Sequence, residues 1–218
     1  MRHFRIGGRV LTLLIALVAF PHVTMAVERG DVVLSGGPVI TPIISGDFSV
    51  NGKSVDYGDL FKYGRGLGMD GMFVLSKVFR VGFGFSVSIF PGDSLEGKDV
   101  TKWWVVPMMV GAEVFPLKAF RDSSLGPYIR ADVGSAFLGG VQVSNPGGEG
   151  KLKLFRTTAA FAGDFGAGLE WQFKKQWGCF GEARYMFSGN PYGAGDLPIH
   201  DLNPVNFLPI RLGITYTY

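Results

Sequence analysis

The 218-residue chain has few of the features that define two common classes of protein. Cys179 is its single cysteine, so an intrachain disulfide cannot form and a disulfide-stapled fold is excluded. After residue 27, no uninterrupted apolar run approaches the roughly 20 residues that a membrane-spanning helix needs. The chain is therefore predicted to be neither a disulfide scaffold nor a helical membrane protein.

The first 26 residues have the order of a cleaved secretory signal peptide. Residues 1–9 contain three Arg and no acid, and residues 10–20 form an apolar run of 11 residues. Pro21 ends this run, and Thr24 and Ala26 place small residues at the −3 and −1 positions of a cleavage site. We predict a signal peptide at 1–26 and a mature domain at 27–218.

Removal of the signal segment changes the charge balance. The whole chain has 21 Lys and Arg against 18 Asp and Glu, a formal net charge of +3. The three Arg of the signal segment account for this excess, so the mature chain is formally neutral and no nucleic-acid partner is expected. With 33 Gly and 14% aromatic residues, the composition favours a β-barrel over a helical protein.

The clearest predicted strand covers residues 80–90, where large and small side chains alternate without exception. Its large apolar face consists of Val81, Phe83, Phe85, Val87 and Ile89. Its other face consists of Gly82, Gly84, Ser86 and Ser88. Because a narrow barrel has room only for small side chains inside, we predict that the small face points into the lumen and the apolar face toward lipid.

Seven further segments repeat this alternation and bring the strand count to eight. They cover residues 31–43, 66–75, 102–115, 126–137, 156–173, 178–187 and 206–218. Gly36-Gly37-Pro38 interrupts the first of them, and Pro107 predicts a bulge in another. Short connections alternate with longer polar loops, as in outer-membrane barrels. The predicted fold is all-β, an eight-stranded antiparallel up-and-down transmembrane β-barrel with both termini on the periplasmic side.

Charged side chains fall on the small-residue face of these strands. An Arg that faces lipid near the midplane costs roughly 2–4 kcal/mol, and several charges together would exceed a typical folding stability of about 5–15 kcal/mol. We therefore predict a lumen network of paired charges, and a polar pore or binding site is the alternative. The residues are Asp70, Glu113, Arg130, Asp132, Asp164, Glu170, Glu182, Arg184 and Arg211.

The last eight residues alternate as well and end on an aromatic. They resemble the C-terminal signal that the outer-membrane assembly machinery recognises, in which a polar residue, a Gly and two aromatics stand at fixed spacing. Arg211, Gly213, Tyr216 and Tyr218 fill these positions. With the signal peptide and the strand rhythm, the chain resembles the OmpW/OmpX/OmpA-like eight-stranded outer-membrane barrel superfamily. This implies a monomer in the bacterial outer membrane, with lipid and the assembly machinery as partners.

Members of this superfamily differ in function, so the resemblance leaves alternatives open. We expect a non-enzymatic barrel with an envelope-structural or surface-interaction role. A narrow conduit or pocket for small hydrophobic molecules is the alternative, suggested by large apolar residues on the predicted lumen face: Met72, Trp103, Met109, Phe180 and Phe207. A lipid A-modifying enzyme is less favoured, because His200 is the single His of the mature chain and the His-x-Ser pattern of the deacylases is absent.

Weaker signals lie near the predicted loops and strand ends. No metal or cofactor is expected, since Asp93, Glu96 and Asp99 lack the spacing of a calcium cage. Basic residues at the predicted outer rim either meet lipopolysaccharide phosphates or act as ordinary rim charges: Lys98, Lys102, Lys151, Lys153 and Arg156. Four tryptophans are expected in aromatic girdles at the bilayer boundaries: Trp103, Trp104, Trp171 and Trp177.

Overall fold

The structure is a computed structural model of the chain. It describes residues 28–50, 52–95, 97–119, 124–144, 150–189, 199–200 and 203–218. The predicted signal peptide at 1–26 and Glu96 lie outside the described residues. Within the described ranges, no helix is both long enough and apolar enough to cross a bilayer.

Eight long strands form the body of the molecule. They are β1 Val32–Thr41, β2 Gly64–Ser76, β3 Phe79–Phe90, β4 Trp103–Val114, β5 Leu125–Leu138, β6 Thr158–Gln172, β7 Trp177–Ser188 and β8 Ile210–Thr217. Each strand pairs antiparallel with its neighbours in sequence, and β1 pairs with β8, so the sheet closes on itself. The predicted eight-stranded antiparallel barrel is confirmed.

The two faces of the strands differ as their alternation predicts. The outer face carries a belt of exposed apolar side chains, such as Leu67 at 66%, Phe83 at 62% and Leu212 at 64%. The inner face carries small and charged residues, and Ser86 and Ser88 are both buried there. A continuous exposed apolar surface marks contact with lipid or protein, and a belt around a closed barrel suits lipid.

The two ends of the barrel are built differently. The start of β1, the end of β8 and the short connections 77–78, 115–124 and 173–176 lie at one end, called the terminus end here. The longer connections 42–63, 91–102, 139–157 and 189–209 lie at the other, the loop end. They contain short strands at Ile43–Ser45, Asp47–Val50, Lys53–Asp56, Ser94–Leu95, Lys98–Asp99, Val141–Ser144, Lys151–Phe155, Ile199–His200 and Val205–Phe207, and a helical turn at Tyr57–Leu60.

Pro107 does not produce the predicted bulge. β4 keeps one register with β5 from Val114 to Val105, and the same register with β3 on both sides of Pro107. Proline has no N–H, so a strand tolerates it where its nitrogen faces a position without a ladder bond. The register shift lies instead in the β2–β3 hairpin, between Val74 and Ser76.

The segment predicted as the last strand is divided in two. β8 begins at Ile210, and Pro209 stands between it and the short strand Val205–Phe207. That short strand pairs with β7 on one side and with Ile43–Ser45 on the other. The barrel wall between β1 and β7 is therefore continued toward the loop end by two short strands.

The loop end holds the main apolar core, which we call the cap. The first long loop folds back over the barrel mouth and buries Phe48, Tyr57, Leu60 and Phe61. These pack with Phe90, Trp103, Val105, Leu138, Val141, Leu154, Phe155 and Phe207, among others. The prediction of polar loops is therefore wrong for this end, because each long connection has an apolar face that closes the barrel.

Candidate functional site

All nine charged residues of the predicted lumen network are buried inside the barrel. The structure adds Arg80, which is buried, and Lys118, whose side chain is 12% exposed. Alternation from Gly82 back to Arg80 is the sequence signal that places Arg80 on the inner face. Lys118 has no such signal, because it lies in the 3-10 turn Pro116–Ala119 between two strands.

Arg130 on β5 is the centre of the network and is 1% exposed. Its Nη2 donates to Asp70 Oδ1 at 2.9 Å, its Nη1 to Glu113 Oε1 at 3.2 Å and its Nε to Asp132 Oδ2 at 2.6 Å. These carboxylates come from β2, β4 and β5. A guanidinium suits this position because it presents five N–H donors in one plane and stays charged when buried.

Arg184 and Arg211 extend the network around the barrel. Arg184 Nη1 lies 3.1 Å from Asp132 Oδ2 and 3.2 Å from Asp164 Oδ2. Arg211 pairs with Asp70, and its Nε lies 3.0 Å from Glu182 Oε1. The Arg211–Glu182 contact is not aligned as a hydrogen bond, so it is an ion pair only. Charged contacts thus connect β2, β5, β6, β7 and β8 across the lumen.

A second charged cluster closes the terminus end. Arg80 makes a two-pronged pair with Glu170, at 2.6 and 2.9 Å. Lys118 Nζ lies 3.5 Å from Glu170 Oε1. The charged ends of both cations lie 4.3 Å from the centre of the Phe115 ring, a cation–π geometry. The short turn after β4 therefore folds inward and seals this end with one more ion pair.

Two small cavities flank the charged residues. Each has a volume of about 10 Å³, which is about the space that one water molecule needs. One lies beside Arg130 and Arg184, and the other beside Arg80 and Arg211. At these levels the lumen is filled by side chains and leaves room for single waters.

The five large apolar residues predicted on the lumen face lie inside but do not line an open space. Met72, Trp103, Met109, Phe180 and Phe207 are each at most 6% exposed. Trp103 and Phe207 belong to the cap, with ring centroids 5.8 Å apart. The Phe180 ring lies 4.8 Å from the Arg211 guanidinium. The set predicted as a lining is instead part of the packing.

The outer aromatic girdle differs from the prediction at one position. Trp104 and Trp177 are exposed on the outer surface, and Trp171 is half-buried there. Trp103 is only 2% exposed, so its placement in the girdle is wrong. The reason is the alternation of β4, which turns one of two adjacent tryptophans inward and the other outward.

The four residues of the C-terminal pattern have different surroundings. Arg211 belongs to the lumen network, and a Cβ on Gly213 would lie 2.2 Å from the carbonyl oxygen of Gly36. The Tyr216 ring packs edge-on against Trp177 at 4.9 Å. Tyr218 is 83% exposed. Packing explains the first three residues, whereas the Tyr218 ring lies on the surface.

Two ionisable groups of the loop end have pKa values shifted from their ordinary values. Tyr57 Oη is buried without a hydrogen-bond partner among the described residues, and burial, followed by the charge of Asp47, raises the pKa of this phenol. Asp47 accepts hydrogen bonds from Asn203 Nδ2 at 2.5 Å and from Ser54 Oγ at 2.8 Å. These bonds lower the pKa of the Asp47 carboxyl.

The residues weighed for catalysis and metal binding do not form a site within the described ranges. The strand Ile199–His200 pairs with Asp47–Val50, and the side chain of His200 lies outside the described part. Ser188 is buried and its Oγ donates to the carbonyl oxygen of Val205 at 3.4 Å. No described group of three or more His, Cys, Asp or Glu is arranged to hold a metal ion.

The basic residues of the predicted rim are at the loop end. Lys102, Lys151, Lys153 and Arg156 are exposed, and Lys98 is half-buried. They come from two of the long connections, the one after β3 and the one after β5. The five cations of the predicted rim therefore belong to two connections at the loop end.

Solved structures with the same closed barrel reveal the fold class. OprG from Pseudomonas aeruginosa superposes with a TM-score of 0.56 at 12% identity, over 89% of this chain and 98% of that chain. AlkL, solved in lipid bilayers, gives 0.53 at 17% identity, over 91% of this chain and 95% of that chain. The chain has the fold of the eight-stranded outer-membrane β-barrels.

A third similar structure is Ail of Yersinia pestis, solved in complex with the heparin analogue sucrose octasulfate. It superposes on this barrel with a TM-score of 0.51 at 14% identity, over 88% of this chain and all of that chain. No protein-family model and no curated protein matches the sequence. At these identities the likeness concerns the barrel fold.

Proposed function

We propose that the protein is an integral outer-membrane barrel, without enzymatic activity, that has an envelope-structural or surface-interaction role. The observation that carries this proposal is an apolar outer belt around a lumen filled with paired charges. The belt suits a bilayer, and the eight-stranded wall leaves an interior just wide enough for side chains. Lipid contact outside and ion pairs inside are what a rigid membrane platform requires.

The filled lumen supports a structural role more than transport. Most of its ion pairs join different strands, as Arg130 on β5 joins Asp70 on β2. Removal of one partner leaves an uncompensated buried charge, at a cost of about 3–5 kcal/mol. The network therefore holds the barrel cross-section in one shape and leaves variation to the loop end.

We further propose that the loop end faces the outside and the terminus end the periplasm. Outer-membrane barrels place their longer loops outside and their short turns in the periplasm, and the folded cap and hairpins all stand at the loop end. A signal peptide at 1–26 would then lead into a periplasmic N-terminus. The proposed assembly signal at Arg211, Gly213, Tyr216 and Tyr218 belongs to the closing strand, which the assembly machinery would meet from the same side.

Epitope tags at the two ends test location and orientation together. Gly97 has a φ of +78° and open space around it, so an insertion there leaves the barrel intact. We expect a tag at Gly97 to bind antibody on intact cells, and a tag between Lys174 and Lys175 to bind only after the outer membrane is opened. The reverse pattern contradicts the orientation, and a tagged protein found outside the outer-membrane fraction contradicts the location. N-terminal sequencing should start at Val27.

The conduit for small hydrophobic molecules remains the second candidate, and one observation favours it. The β3–β4 pairing is interrupted between the pairs Phe85–Met108 and Ser88–Val105. Pro107 lies in this gap and offers no N–H to β3. One of the 10 Å³ cavities lies beside Phe85 and Pro107. If the wall opens anywhere in this region, the missing ladder bond makes Pro107 the position where opening costs least.

Uptake of a small apolar dye by liposomes that contain the folded protein distinguishes the two candidates. We expect no uptake above that of protein-free liposomes, because the lumen is filled. Dye uptake by wild type that decreases in the Pro107→Val variant, which restores the N–H, would favour the conduit instead. Pro38→Val is the matched control, since Pro38 lies in a similar gap of the β1–β8 pairing, between Gly36–Ile214 and Val39–Arg211, on another part of the wall.

A further inference from the structure

A recess of about 310 Å³ lies on the outer surface of the barrel at the loop end. It is formed between the outer face of β4 and the hairpin of Val141–Ser144 with Lys151–Phe155. Trp104, Gly140, Gln142, Lys153, Arg156 and Thr157 line it, together with the buried Phe155. The volume is in the range of small-ligand sites, and the recess is separate from the lumen because Trp104 points outward.

Close backbone packing gives the recess its shape. A Cβ on Gly139 would lie 2.5 Å from Trp104 Nε1, so the indole rests directly on the Gly139 backbone. The Gly139 N–H donates to the Trp104 carbonyl oxygen at 2.7 Å, and the Gly140 N–H donates to Thr157 Oγ1 at 3.1 Å. One bond therefore ties β4 to the loop after β5, the other ties the two arms of that loop together, and the recess is preformed.

The lining combines cations with an amide. Lys153 and Arg156 are exposed, and none of the residues that line the recess is acidic. Gln142 is the cross-strand partner of Lys153 in the hairpin, so the two side chains project from the same face. Hydrogen bonds to Thr101 in both directions, each 2.9 Å long, fix the Gln142 backbone. The recess thus offers positive charge and polar donors together, which suits an anion.

The recess also borders the apolar belt. Trp104 is 37% exposed and shares the outer face of β4 with Met108, which is 53% exposed. Tryptophan favours the headgroup level of a bilayer, where its ring meets apolar chains and its N–H meets polar groups. One wall of the recess is therefore suited to lipid chains, while the opposite wall carries the cations.

We propose that this recess binds a phosphorylated lipid headgroup of the outer leaflet, with Lys153 and Arg156 as the phosphate-binding residues. The proposal rests on the proposed function, since it needs the loop end to face the outer leaflet. An Arg forms two-pronged bonds to phosphate, and a Lys adds a compact charge. A soluble anion would use the cations but gain nothing from the apolar wall at Trp104, so the lipid is the better match.

Native mass spectrometry and titration of the folded protein in detergent test this site. The probes are lipid A with its phosphates, dephosphorylated lipid A, inorganic phosphate and sucrose octasulfate. The variant is Lys153→Gln with Arg156→Gln. The matched control is Lys174→Gln with Lys175→Gln, which removes two charges at the terminus end. Heat-modifiable gel mobility verifies that each variant is a folded barrel.

We expect phosphorylated lipid A to bind wild type and control equally, and to bind the Lys153/Arg156 variant roughly tenfold more weakly, a change of about 1.4 kcal/mol. Dephosphorylated lipid A should bind weakly to all three proteins. Equal binding of phosphorylated lipid A to the variant overturns the site. Equally tight binding of inorganic phosphate, or preferential binding of sucrose octasulfate, overturns the lipid assignment in favour of a soluble anion or a sulfated glycan.

This outcome can be separated from the fate of the proposed function. If the barrel is folded and the Gly97 tag is outside, but variant and control bind lipid A equally, the headgroup site is contradicted and the proposed function stands. If the tag at the terminus end is exposed on intact cells instead, the loop end does not face the outer leaflet, and the proposed orientation is contradicted together with the site. Gly139→Ala offers a second, uncharged probe, because it displaces the Trp104 indole and should weaken lipid binding while both cations remain.

Discussion

The lumen network and the cap fill the same barrel by opposite chemistry. In the lumen, charged side chains on regular strands meet at 2.6 to 3.2 Å around Arg130. In the cap, aromatic side chains from the long connections and from strand ends pack with ring centroids 4.9 to 5.8 Å apart. The network depends on each partner, because a charge left alone is costly, whereas the cap distributes its stabilisation over many weak contacts. Single substitutions should therefore act globally in one region and locally in the other.

Arg130→Met should give the largest loss of stability. It leaves Asp70, Glu113 and Asp132 without their shared cation, so we expect the free energy of unfolding to fall by about 3–5 kcal/mol. Denaturant unfolding in detergent or lipid, followed by tryptophan fluorescence, measures this. Arg65→Met, at an exposed arginine of the loop end, is the control and should change little. An unchanged midpoint for Arg130→Met would contradict the role of the network.

Leu60→Ala should have a smaller and more local effect. Leu60 is 1% exposed within the cap, and truncation of a buried Leu costs about 2–5 kcal/mol. Because the cap stands on the barrel mouth, we expect the lower end of this range and a change confined to the loops. Hydrogen exchange should speed up at Asp47–Val50 and Lys53–Asp56 but not in β5. Faster exchange throughout the barrel would show that cap and network unfold together.

Tyr57→Phe should stabilise the cap slightly. The buried Tyr57 hydroxyl has no partner among the described residues, so its removal is expected to gain about 1 kcal/mol. The pKa of the phenol is raised in the folded state. The wild-type cap should therefore lose stability as pH rises above the unfolded value of about 10, and the variant should lack this dependence. The same alkaline loss in both proteins would rule out Tyr57 as its source.

Tyr218→Ala should have the smallest effect on stability, within about 0.5 kcal/mol, as is usual for a surface side chain. The proposed assembly signal nevertheless predicts a clear defect in cells. We expect poor heat-modifiable folding of protein made in cells and near-normal refolding in detergent. Tyr63→Ala, at an exposed tyrosine of the loop end, is the control. Normal outer-membrane levels without Tyr218 would count against the signal and leave the barrel fold unaffected.

The regular parts of the barrel could be predicted from sequence, because a period of two assigns each side chain to one face. Alternation through Asp70, Arg130 and Glu182 was sufficient to place these charges inside. The cap could not be predicted in this way. Phe48, Leu60 and Phe61 lie in a long connection without a sustained period, and only the three-dimensional return of the loop shows that they cover the barrel mouth. The partners within the network were also not predictable, since alternation assigns a face and not a distance.

The seam where β1 meets β8 constrains how fast the barrel can fold and which substitutions it accepts. A Cβ on Gly37 would lie 2.0 Å from the Leu212 carbonyl oxygen, and one on Gly213 would lie 2.2 Å from that of Gly36. The two strands stand at opposite ends of the chain, and Val33 pairs with Thr217. Contacts of such long sequence separation cost the most loop-closure entropy and form slowly. The slowest contacts to form thus lie where the backbone leaves no room for added bulk, and substitutions at Gly37 or Gly213 should slow maturation.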